Sequence, residues 1–157
     1  MSVIGKGAPD NELEPIAEEV GERLADAGAV VVCGGLAGVM EAVARGASRS
    51  GGTVIGIVPS SSREQANPHC THVIATGVGH ARNLAVVSSG DAVIAIGGEW
   101  GTLSEIAFAR ELGRPVVALA SWKVSGSGPM AGGPGIAVAS DPAEAVDLAL
   151  ASAAPET

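Results

Sequence analysis

Two glycine-rich segments each close a short apolar run and open a helical stretch: Gly34-Gly35-Leu36-Ala37-Gly38 and Gly97-Gly98-Glu99-Trp100-Gly101-Thr102. Glycines in such turns let a backbone approach a ligand closely. The helix that follows offers free N–H groups and a partial positive charge. That combination suits an anion, a phosphate above all. One such turn alone also reads as tight packing of strand on helix. Two in one sheet would share a cradle and strengthen the ligand reading. Gly5-Lys6-Gly7 offers a third wall.

Candidate side chains lie beside these turns. Arg82 begins a mostly apolar stretch, Leu84-Ala85-Val86-Val87, where it could grip a phosphate with two parallel hydrogen bonds. An ordinary surface arginine is the equal alternative. Thr102-Leu103-Ser104-Glu105 fits a capping box, and spacing alone favours that role over a catalytic carboxylate at Glu105. His80 reads as a structural hydrogen-bonding residue before a ligand contact. His69-Cys70-Thr71-His72 matches no closed zinc site, so no metal is expected.

Familiar cofactor signatures are missing. No Gly-Lys-Ser or Gly-Lys-Thr exists, and Gly5-Lys6-Gly7-Ala8-Pro9-Asp10 lacks the last glycine of a dinucleotide fingerprint. Both absences disfavour an ATPase or a standard NAD site. The lysines are Lys6 and Lys123, neither in the two main loops, which argues against a pyridoxal phosphate Schiff base.

The elements that must position these residues alternate between strand and helix. Strands are predicted at Ser2–Ile4, Ala29–Cys33, Thr53–Val58, His72–Thr76, Ala92–Ile96, Pro115–Ala120 and Ile136–Val138. Helices are predicted at Glu12–Asp26, Val39–Ser48, Gly79–Ser89 and Thr102–Leu112, with a last one opened by Asp141-Pro142. The polar stretch Ser60–Thr71 reads as a loop, and Ser125–Gly135 as a flexible segment. Apolar strands joined by helices of this length mean βαβ units. The expected fold is a single Rossmann-like, doubly wound parallel sheet with helices on both faces. It should span residues 1–152, with 153–157 as a frayed tail.

Composition narrows the partners. The chain has 157 residues and a net charge of −8, with nine scattered lysines and arginines, so no nucleic-acid surface is expected. Phe108, Trp100 and Trp122 are its aromatics, too few for a single-stranded nucleic-acid platform. The apolar runs are too short to span a membrane, and no signal peptide is seen, so the expected location is the cytoplasm. Cys33 reads as a buried small hydrophobe. The mixed apolar faces of Leu84, Val86 and Val87, and of Leu103, Ile106 and Phe108, predict a homo-oligomer, a dimer or tetramer.

Cys33-Gly34-Gly35, His80-Ala81-Arg82-Asn83 and Gly97 to Glu105 together resemble the LOG-like superfamily over nearly the whole chain. It contains the LOG phosphoribohydrolases, once labelled lysine decarboxylases, and the molybdenum cofactor carrier proteins. The hydrolase signature is Pro-Gly-Gly-x-Gly-Thr-x-x-Glu. Here Gly98, Gly101, Thr102 and Glu105 match it, while Gly97 replaces the proline and Glu99 the second glycine. A second signature, Met-His-Glu-Arg-Lys, keeps His80 and Arg82 but has Ala81 and Asn83 in place of the glutamate and lysine. The sequence looks closer to the carrier branch, whose loop reads Gly-Gly-x-x-Gly-Thr-x-Ser-Glu.

The resemblance implies a phosphate-bearing, nucleotide-like ligand held by Gly34, Gly35, Gly38, Arg82, Asn83, Gly97, Gly98, Gly101 and Thr102. That ligand would be a nucleoside monophosphate or molybdenum cofactor, with no cofactor required. The alternative it implies is cleavage of the N-glycosidic bond of nucleoside 5′-monophosphates to base and ribose 5-phosphate, with Arg82 and Glu105 catalytic. Whether the chain is an enzyme is left open at this point.

Overall fold

The computed structural model describes residues 1–124 and 135–153. Seven strands, β1 (Ser2–Gly5), β2 (Val31–Cys33), β3 (Val54–Val58), β4 (His72–Ala75), β5 (Val93–Ile96), β6 (Val116–Leu119) and β7 (Ile136–Ala139), form one sheet. Every pairing is parallel and the spatial order is β4-β3-β2-β1-β5-β6-β7. Five helices connect them: α1 (Leu13–Asp26), α2 (Val39–Arg49), α3 (Arg82–Ser89), α4 (Trp100–Glu111) and α5 (Pro142–Ala153). The single, doubly wound Rossmann-like domain predicted from the alternation is therefore the fold.

The two faces of the sheet carry different cores. Val3, Val31, Cys33, Ile94 and Ile96 pack with Val20 and Leu24 of α1, Val39 and Val43 of α2, and Val146 of α5. Ile4, Val32 and Val93 pack on the other face with Val86 and Val87 of α3 and Ile106 of α4. Central strands buried on both faces need continuous β-branched runs, as β2 and β5 show.

Helices α1 and α2 approach backbone to backbone. A Cβ on Gly21 would land on the Val43 carbonyl, and one on Gly46 on the Glu18 carbonyl. Arg45 joins the pair from outside, with Nε donating to Glu18 at 2.9 Å.

Several boundaries shift for local reasons. Helix α1 is capped by Asp10 rather than starting at Glu12: its Oδ1 accepts from the N–H groups of Glu12 at 3.0 Å and Leu13 at 3.1 Å. The predicted helix from Gly79 divides into a 3-10 turn, Gly79–Ala81, and α3. The loop before β4 contains a 3-10 turn at Arg63–Gln65. The Asp141 cap forms as predicted, its carboxylate accepting from Glu144 N–H at 2.9 Å. Ala153, assigned to the tail, belongs to α5. Residues 125–134 of the predicted flexible segment and 154–157 of the tail lie outside the described residues.

Candidate functional site

Strand order places a topological switch between β1 and β5. The chain winds outward from β1 to β4 on one side and from β5 to β7 on the other. Loops at the carboxyl ends of strands diverge at such a point, and the crevice outside them is the usual ligand position in these sheets.

Three loops meet at this crevice. The first, after β1, runs through Gly5-Lys6-Gly7 to Asp10, and Lys6 is tied to Asp10 at 2.9 Å. The second, after β2, contains Gly34, Gly35 and Gly38. Gly38 caps α2 with φ 65°, and a side chain there would strike the Lys6 and Ala8 carbonyls. Val39 N–H donates to the Lys6 carbonyl at 3.0 Å, which joins the first two loops. In the third, after β5, Gly97 packs on Leu13, and Gly98 takes φ 138°, a conformation that excludes side chains.

Arg82, the first residue of α3, lies against the second loop and is 7 % exposed. A Cβ on Gly34 would land on its guanidinium Nη1, so glycine at 34 makes room for the cation. Among the described residues its Nε has no hydrogen-bond partner, although it is buried. The surface-arginine alternative is thereby overturned. A buried donor without a partner carries a desolvation cost on the order of 1–3 kcal/mol.

Glu105 lies nearby on α4, also 7 % exposed. Burial pushes its carboxyl up to about 7, with the Arg82 charge working the other way. Burial likewise lowers the Arg82 pKa, against the pull of Glu105. Yet among the described residues the close ion pairs do not include Arg82 with Glu105. The two groups sense each other without neutralising each other at contact.

This geometry corrects the capping box. Helix α4 starts two residues earlier than predicted, at Trp100, with Glu99 at the cap position and no side-chain cap hydrogen bond. Thr102 is buried within the first turn, where its methyl group packs close to Gly98. Glu105 therefore sits in the second turn, facing the α3–α4 seam rather than folding back on the helix start.

The remaining predicted residues fall around this centre. Gly35 is buried in the second loop, and Gly101 is exposed in the first turn of α4, facing open space. Asn83 is half-buried, while His80 and Glu99 are exposed. On the two helices named for assembly, Leu84 and Phe108 are exposed at 44 % and 42 %, whereas Val86, Val87 and Ile106 belong to the core.

Some supporting residues gave no signal in the sequence. Asn67, read as part of a plain polar loop, is buried and braces the second loop. Its Nδ2 donates to the Leu36 carbonyl at 2.9 Å, and its N–H donates to the Gly35 carbonyl at 2.8 Å. Ser121 and Trp122, after β6, brace the third loop. Ser121 Oγ donates to the Gly97 carbonyl, and Trp122 Nε1 to the Glu99 carbonyl at 3.3 Å. Local pattern names the partner of none of the three.

Fold and crevice together define a Rossmann-like protein of the LOG-like class. The chain belongs to the SLOG cluster4 family, whose model matches residues 1–146. It is similar to the molybdenum cofactor binding protein of Rippkaea orientalis, with a TM-score of 0.84 and 31% identity, covering 95% of this chain and 93% of that one. The molybdenum cofactor carrier protein of Chlamydomonas reinhardtii superposes with a TM-score of 0.83 at 30% identity, covering 96% and 94%. An uncharacterized protein of Archaeoglobus fulgidus is 47% identical over 76% of this chain and 78% of its own length. A probable cytokinin riboside 5′-monophosphate phosphoribohydrolase of Oryza sativa is 36% identical over 57% of this chain and 38% of its own. Among the described residues, no helix is long and apolar enough to cross a membrane.

Proposed function

We propose that the crevice binds a phosphate-bearing, nucleotide-like small molecule and that the chain acts as a molybdenum-cofactor-carrier-like binding protein. The observation that carries this reading is Arg82: buried, set against Gly34, and left with an unpaired Nε. A phosphate oxygen supplies the missing acceptor, and the guanidinium supplies the charge that opposes the acidic surface. Gly98 and Gly101, at the start of α4, offer backbone approach to the same anion. In a carrier, these residues would hold the phosphate of the cargo. Its metal would need no protein ligand for that grip.

Glu105 sets the charge of the site. Protonated, it leaves Arg82 as a net cation; ionised, it offsets that charge. Anion binding should therefore draw a proton onto Glu105 near neutral pH, so affinity falls as pH rises through 7. The same carboxyl supports a second reading, hydrolysis of nucleoside 5′-monophosphates. A carboxylic acid titrating near the working pH can protonate a departing base. The departures from the hydrolase motif at Ala81, Gly97 and Glu99, and the carrier neighbours, favour binding over turnover.

The pure protein should be titrated with nucleoside 5′-monophosphates and a pterin phosphate, while free base and ribose 5-phosphate are assayed. Binding without turnover, lost in Arg82→Ala, is expected. Turnover abolished by Glu105→Ala would assign the hydrolase instead. We also place a homo-oligomer contact on the exposed apolar side chains of α3 and α4, Leu84 and Phe108. Light scattering at micromolar concentration should report a dimer or tetramer, and a monomer would refute it.

A further inference from the structure

The chain's two tryptophans, Trp100 at the start of α4 and Trp122 after β6, sit together although they are 22 positions apart in sequence. Their ring centroids are 5.5 Å apart and tilted by 37°. Trp122 is fixed: its Nε1–H is held by the Glu99 carbonyl, and its Cδ1 lies 3.2 Å from where a Cβ on Gly98 would be. Trp100 is 77 % exposed, an unusual state for the largest apolar side chain in an aromatic-poor protein.

Beside Trp122 lies a cavity of about 380 Å³, walled by Ala120, Ser121, Lys123, Val138 and Pro142 among others. That volume is in the range of small-molecule pockets. Of its polar side chains, all but the exposed Lys123 are already hydrogen-bonded among the described residues. Ser121 is used by Gly97, Trp122 by Glu99, and Ser140 and Asp141 by the cap of α5. What remains is flat aromatic surface, aliphatic wall and, at the rim, the Lys123 ammonium. The wall turns at Ala120, a non-glycine residue held at φ 49° where a side chain is strained.

We infer that Trp100 and Trp122 form the ring-binding half of the ligand site: a flat heteroaromatic ring stacks there while its phosphate lies at Gly98 and Arg82. This rests on the phosphate-binding reading and adds a specificity rule to it. A stacking surface whose one free polar side chain is a flexible, exposed lysine requires a ring but reads its edge weakly. Adenine, guanine and pterin rings are accepted alike, and a sugar phosphate without a ring is discriminated against.

Because tyrosine is absent, Trp100 and Trp122 dominate the intrinsic fluorescence. The probes are adenosine and guanosine 5′-monophosphates, neopterin monophosphate and ribose 5-phosphate, titrated into the wild type, Trp100→Phe, Trp100→Ala and Trp122→Phe. Calorimetry gives affinities, and circular dichroism confirms folding. The expected result is quenching by ring-bearing ligands, with affinities among them within about three-fold and ribose 5-phosphate about ten-fold weaker or worse. Trp100→Ala, at an exposed position that folding does not need, should bring the ring-bearing ligands down to the ribose 5-phosphate affinity.

Equal, Arg82-dependent binding of ribose 5-phosphate and the nucleotides, unaffected by either tryptophan variant, overturns the ring site and leaves the phosphate site standing. A spectrum that shifts on dilution but not with any ligand assigns Trp100 to contact between copies and also overturns it. Failure of every probe to bind removes both readings together.

Discussion

Glu105→Gln should stabilise the protein, and only at neutral and alkaline pH. The ordinary glutamate value is 4.5, and in the folded chain this carboxyl titrates near 7. Between those values the native state keeps a proton that the unfolded chain has released. Stability then falls as pH rises through the window, because the unfolded state binds fewer protons. Above about pH 7 the penalty is fully present. It is on the order of 3 kcal/mol, since a tenfold change in proton affinity between the folded and unfolded chain is worth about 1.36 kcal/mol. The side chain is 7 % exposed, so solvent screening takes little of that away. Glutamine keeps the shape and never ionises, so it mimics the protonated acid. For a domain of this length, each kcal/mol moves the thermal midpoint by roughly 2–4 °C. The variant should melt roughly 6–12 °C above the wild type at pH 8.5 and close to it at pH 5. Calorimetric melts from pH 5 to 9 at fixed protein concentration and without ligand are the assay. A pH-independent offset, or none at all, would refute the raised carboxyl. Replacing Arg82 with leucine removes the charge that holds the value down, so the wild-type pH midpoint should move upward in that background.

Three further outcomes are expected. Gly101→Ala meets no atom of the described residues within 4 Å and lies inside α4, so denaturation should show it unchanged or more stable by about 0.5–1 kcal/mol. Phosphate-ligand affinity should still fall, because the added methyl group stands at the helix start; unchanged calorimetric affinity would exclude that approach. Cys70 should alkylate well before Cys33 in the native protein, as read by peptide mass spectrometry. The adjacent Cys33 thiol lowers the Cys70 thiol, while that contact and burial raise Cys33. Asn67→Ala should weaken ligand binding without entering the crevice, since it releases the Gly35 and Leu36 carbonyls; an affinity equal to wild type, by the same titration, would show that the second loop needs no brace.

Most of the architecture could be read from the order of residues. Apolar runs such as Val31–Cys33 and Val93–Ile96 carry their own strand signal, and the stripe Leu13, Val20, Leu24 carries its helix. Glycine loops at strand ends also announce themselves. Less visible was anything decided by contacts between distant segments. Spacing favoured Glu105 as a cap because Thr102 stands three residues before it. The structure starts α4 earlier, and the carboxyl then falls on the seam with α3. Arg82 looked equally at home on the surface, and only its placement across from Gly34 buries it. Asn67 and Trp122 act through backbone carbonyls 31 and 23 positions away, a relation local pattern does not encode.

The backbone contact between α1 and α2 at Gly21 and Gly46 reaches beyond the core. Two helices without intervening side chains have little room to slide or breathe, and the turns at their starts inherit that stillness. The loops carrying Gly7 and Gly38 are those turns. An incoming anion would meet walls already in place on this side and forfeit little chain entropy in closing them. The opposite wall, leading into α4, is fastened by side-chain hydrogen bonds from Ser121 and Trp122 instead. Amide hydrogen exchange should therefore be slow at Val39, whose N–H is bonded to the Lys6 carbonyl across the first pair of loops, and faster at Gly98–Gly101, with ligand protection concentrated on that second side.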